Sequence, residues 1–125
     1  MNRRFLIAIA ALLLGGVTIR AHHGYADFFL DQRVTIEGDI DDLQYANPHL
    51  VFRIRTSDST VYTVTWLAAS QLEYRAHLTR TTFQVGDHLI VSGAPNRNPA
   101  VHEISAVKEV LRPSDGWHWG VSQPR

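Results

Sequence analysis

The chain contains no cysteine. That excludes disulfides, thiolate metal sites, iron–sulfur clusters and cysteine nucleophiles, so the folded part must be held by its apolar core. Lysine is nearly absent too: Lys108 is the only one in 125 residues. The arginines are scattered, and a protein that grips phosphates needs clustered cations, so no nucleic-acid partner is expected. A glycine-rich phosphate loop, the HExxH zinc pattern and the GxSxG nucleophile elbow are all missing. The longest apolar run, Phe5 to Leu14, falls short of the ~20 residues that cross a bilayer comfortably.

What is there begins with a targeting pattern. Arg3 and Arg4 precede the apolar run, and Ala21 supplies a small residue at a cleavage position. Residues 1–21 are therefore predicted to be a signal peptide, which places the mature protein in the periplasm or outside the cell. No stable membrane insertion is expected after cleavage. No cysteine follows the run, which rules out a lipoprotein anchor there. Cleavage removes Arg3, Arg4 and Arg20 but none of the 12 acids, so a net charge of 0 becomes about −3 in the mature chain.

The mature chain alternates in the manner of β-strands. Residues 22–32 read as an N-terminal extension with Phe28, Phe29 or Leu30 against the core. Val34, Ile36, Gly38 and Ile40 share one face of a first strand, which continues through Leu43 and Tyr45 after a change of phase, as at a bulge. Asn47-Pro48 is a corner. Leu50, Phe52 and Ile54 define a second strand, and Tyr62, Val64 and Trp66 a third, joined as a hairpin. Ala68 to Leu78 is the one helical candidate, with Ser70 as its cap. Leu89 and Val91 mark a fourth strand. Val101 to Leu111 gives a fifth, apolar on both faces and so ambiguous in its facing. The order predicts a mostly β fold: a small five-stranded OB-like barrel over residues 33–112, with one short helix between strands three and four. An open sandwich or roll is the other architecture compatible with it. Residues 113–125 are left as an aromatic C-terminal tail.

Three segments recur together in a known pattern: His22-His23-Gly24-Tyr25, Tyr45-Ala46-Asn47-Pro48-His49 and Val85-Gly86-Asp87. With Trp66, Leu72, Arg75, Gly93 and Arg97, they resemble a family of small exported bacterial proteins that carry a domain of unknown function. The resemblance spans nearly all of the mature chain and departs at Trp117-His118-Trp119. It implies export and a single domain, and it carries no catalytic residue.

Several residues invite a functional reading. Cleavage after Ala21 makes His22 the new N-terminus, whose amine and ring nitrogen can chelate one metal. A third nitrogen from His49 would complete a tetragonal set suited to Cu(II). His23 is a weaker ligand candidate, as are His88, His102 and His118. Each of these histidines also has a plain structural explanation. Asn47, Arg53 and Arg55 flank a face that could take a partner or a small polar ligand, though arginines on a strand are more often a solvated surface. Arg75 is expected to cover the barrel mouth and pair with Asp87. Trp117 and Trp119 either cap the barrel or meet a partner.

The reading is an exported, non-enzymatic binding or accessory module with no required cofactor, engaging a protein partner or small polar ligand. The alternatives are a copper-binding protein using His22 and His49, and a minor structural subunit of an envelope complex.

Overall fold

The computed structural model describes residues 24–120; the segment 1–21 expected to be a signal peptide, His22 and His23 lie outside the described residues. A 3-10 turn at Tyr25–Asp27 leads into six strands: β1 (Val34–Gln44), β2 (Val51–Thr56), β3 (Val61–Thr65), β4 (His88–Pro95), β5 (Glu103–Arg112) and β6 (Trp117–Gly120). One helix, α1 (Ala69–Ala76), lies between β3 and β4. The sheet runs β3-β2-β1-β4-β5-β6, and β3 also pairs with β5. That last pairing closes the first five strands into the expected OB-like barrel. Closure uses up both free sheet edges of the five-stranded ribbon.

The alternation places the core as anticipated. Leu50, Phe52, Ile54, Val64, Leu72, Leu89, Val91 and Val110 are completely buried. Each such side chain stabilises the fold by ~1.5–3 kcal/mol. The phase change in β1 is a bulge: the register with β2 shifts between Ile40 and Asp42. It turns Asp41 and Asp42 both outward and returns Leu43 to the core. Gly38 is required where β1 crosses β2, because a Cβ there would collide with the carbonyl of Arg55.

Three expectations need correction. Ser70 does not cap α1. The cap position is Ala68, and Ser70 sits in the first turn, where its N–H and hydroxyl both donate to Asn47 Oδ1 at 3.1 and 3.2 Å. Arg75 does not reach Asp87; it is exposed on the helix. Asp87 is held instead by Arg112 at 2.9 Å, which also chelates Asp115 and lies over the Phe83 ring. Finally, residues 117–120 of the aromatic tail form a sixth strand, where five strands were expected. Asp115 accepts from Arg112 Nε and Nη2 and from the Trp117 N–H, which fixes the turn that folds β6 back along β5.

Candidate functional site

The barrel seam is short. β3 and β5 pair in parallel at Thr63–Glu103 and Val64–Ile104. Just beyond, β5 bulges. Ala94 pairs with Ser105 and Ser92 with Glu109, so Gly93 alone spans the stretch that β5 covers with Ala106, Val107 and Lys108. A Cβ on Gly93 would meet Ile104 Cγ2 and Ser105 O at 2.6 Å, so only glycine lets the bulge wrap so closely. Ala106 takes φ 44°, a left-handed conformation that costs a residue with a Cβ about 1 kcal/mol or more. The bulge explains why β5 looked apolar on both faces: Ile104, Val107 and Val110 all point inward because the phase changes at Ala106.

The seam therefore opens between the end of β3 and the β5–β6 hairpin. A cavity of about 190 Å³ lies there, lined by residues that include Tyr25, Trp66, Leu67, Ala106, Lys108 and Trp119. A larger one of about 550 Å³ continues past Trp119 and Lys108 toward Leu30, Asp31 and Arg33. Trp119 packs edge-on against Trp66 at 5.0 Å between centroids. Trp66 is 3% exposed, and its indole N–H is buried without an acceptor. An unmet buried donor is rare and destabilising, so it marks a place where an acceptor is wanted. Strain, an orphan donor and an opening meet at one seam.

The chain start is tied to this region. Arg97 donates from Nε to Ala26 O and from its backbone N–H to Asp27 O, and its guanidinium covers the Phe29 ring. Tyr25 is thereby placed on the cleft wall, 57% exposed.

The residues singled out from sequence are dispersed. His49 is exposed at the head of β2, and its Nδ1 lies 2.9 Å from Trp66 O. A carbonyl only accepts, so Nδ1 carries a proton, and in the neutral ring the lone pair is on Nε2. Asn47 is engaged at the start of α1. Arg53 and Arg55 lie farther along β2, roughly 13 and 20 Å from His49 at the rise of an extended strand. Arg55 is paired with Asp41 at 2.8 Å, and Arg53 stands opposite Asp42. This face is thus balanced by acids and does not converge with His49. Trp117 packs on Phe83 at 4.8 Å, so both tail tryptophans close over the core. His88 lies between Asp39 and Glu37, at 2.7 Å from Nδ1 and 2.9 Å from Nε2. Its hydrogen bonds to Glu37 and then Asp39 raise its pKa above the usual imidazole range against a small opposing effect of burial. His102 stacks near Tyr62, and His118 approaches Glu109. Among the described residues, no group of three or more histidine and acidic side chains is arranged to hold a metal ion. No helix among them is long and apolar enough to cross a membrane.

Sequence reasoning missed Lys108, Ala106 and Tyr25 as site residues. The two-faced apolarity of β5 and the isolation of the single lysine were the signals available.

Fold and cleft together define a small closed β-barrel domain with one opened seam. The chain belongs to the Family of unknown function (DUF6152), whose model matches residues 10–105. The match ends at Ser105, so Lys108 and β6 lie beyond it. No curated protein matches the chain.

Proposed function

We propose that this is an exported, non-enzymatic binding module whose ligand site is the seam cleft rather than the Arg53–Arg55 face. The observation that carries it is the buried, acceptor-less N–H of Trp66 at a cavity whose wall includes the strained Ala106. The smaller cavity is lined by aromatic and aliphatic side chains, the hydroxyls of Tyr25 and Thr65 and one ammonium. It offers no carboxylate or imidazole to accept a proton, which suits binding more than acid–base chemistry. The signal-peptide pattern of residues 1–21 supports export. The test is a small-fragment screen on protein exported by its own leader, read by the indole N–H resonances of Trp66, Trp117 and Trp119. Hits should move Trp66 and Trp119 together. Hits that instead shift only Arg53, Arg55 and their neighbours would place the ligand on the β2 face.

A second reading, a copper site, is favoured by one observation. His49 already donates Nδ1–H to a backbone carbonyl, the arrangement that orients a metal-binding imidazole and frees Nε2. Its carbonyl partner Trp66 shares a cavity wall with Tyr25. His22 stands three residues before Tyr25 in the sequence, a reach of at most ~11 Å for an extended chain. In this reading the amine and ring of His22 and Nε2 of His49 bind one Cu(II), with His23 beside them. Intact mass of the exported protein, taken natively with and without Cu(II), decides it. One copper on a chain beginning at His22, lost on His49→Ala, is expected; a correctly processed chain that holds none ends this reading.

A further inference from the structure

This inference rests on the cleft being the ligand site and concerns what it accepts. Lys108 borders both cavities. It makes no ion pair among the described residues: the acid nearest in sequence, Glu109, is taken by Arg33 at 2.6 Å and approached by His118 at 3.3 Å. Asp31 lies on the larger cavity and does not line the smaller. The smaller cavity thus presents an ammonium without a counter-ion and the aromatic surfaces of Trp119 and Tyr25, while the acceptor-less indole N–H of Trp66, a wall residue, is itself buried. The hydroxyls of Thr65 and Tyr25 also line it and can donate or accept. Its 190 Å³ is below the ~300–1,000 Å³ that encloses drug-sized ligands, so the part of an occupant held here is about a single ring.

The geometry points to a small carboxylate carried on a single six-membered ring as the ligand of the seam cleft. The ring packs against Trp119, and the carboxylate accepts from Lys108 in a charge-assisted hydrogen bond. An aromatic acid and a sugar acid share this chemistry.

The single lysine makes the test selective. Reductive ¹³C-methylation of the exported protein labels Lys108 and the terminal amine, and Lys108→Gln assigns the two methyl signals in the NMR spectrum. The probes are benzoate and D-glucuronate, with benzyl alcohol and methyl glucoside as uncharged counterparts. One acid should shift the Lys108 methyl signal and the Trp66 indole N–H together and saturably. Its uncharged counterpart should bind at least about tenfold more weakly, and Lys108→Gln should erase that preference. Which acid binds separates the aromatic from the sugar source. Equal binding of acid and uncharged counterpart at Trp66 overturns the charge inference and leaves the cleft reading standing. If neither acid moves Lys108 or Trp66, this inference fails. If the uncharged probes and the wider fragment screen also leave both tryptophans untouched, the cleft reading fails with it.

Discussion

The side-chain carbonyl of Asn47 accepts from both the N–H and the hydroxyl of Ser70, 23 positions away. The first turn of α1 is thus capped by the corner between β1 and β2, since Ala68 at the cap position has no oxygen to offer. The backbone reinforces it: Ala69 N–H donates to Ala46 O. Asn47→Ala should cost about 1 kcal/mol by urea denaturation, while Asn47→Asp, which keeps an acceptor, should cost less. Equal losses for the two would show that the amide matters for something other than capping.

Gly38→Ala should be far more damaging. The added Cβ meets the backbone of Arg55 and Thr56, which cannot yield without breaking β1–β2 pairing. A loss of about 3 kcal/mol or more is expected, at the upper end of overpacking effects. Thermal melts of the purified variant measure it, and a near-wild-type midpoint would contradict the register described.

Ala106→Gly should move the other way. Glycine removes the left-handed strain at φ 44° but adds disorder to the unfolded chain, for a net gain of up to about 1 kcal/mol. The same variant should weaken any ligand that shifts the Trp66 indole, because the bulge holds one wall of the cleft. A gain in stability with binding untouched would separate the strain from the site.

Arg112 joins Asp87, Asp115 and the carbonyl of Thr82 while mostly buried. Asp115 is correspondingly held below the usual carboxylate range, first by its hydrogen bond to Arg112 and then by that to the Trp117 N–H. Arg112→Lys keeps the charge but cannot span the three acceptors, so a loss of about 2 kcal/mol is expected. Hydrogen exchange should speed up across β6. Full protection of Trp117 to Gly120 in that variant would mean β6 is held by its tryptophans alone.

His88 gives the fold a pH signature. Its folded pKa is raised by Glu37 and Asp39, so its stabilisation is fully present below the unfolded value of about 6.5. It is lost as pH rises through the folded pKa. The ring is half exposed, so the effect is a modest one. The urea midpoint should fall between about pH 6 and 8 in the wild type, and His88→Gln should flatten that fall. A slope unchanged by the substitution would assign it to other groups.

The sequence by itself determined the strands and their inward faces, while closure into a barrel rather than an open roll was decided by the β3–β5 pairing. Period-two alternation in Leu50–Ile54, Tyr62–Trp66 and Leu89–Val91 fixes which face is inside, because an apolar face has only one stable place to go. It also announced the β1 bulge, since a change of phase is visible wherever acids double up, as at Asp41 and Asp42. Only the tertiary structure decided the partners of polar groups. Arg112 rather than Arg75 takes Asp87, and Asn47 rather than Ser70 supplies the cap, because such choices depend on distances between segments far apart in the chain. The same holds for the cleft. Ala106 is unremarkable in a linear reading, and Lys108 and Trp119 stand out there only separately; they become a site because β5 must bulge around Gly93 and β6 must fold back to cover Phe83 and Trp66.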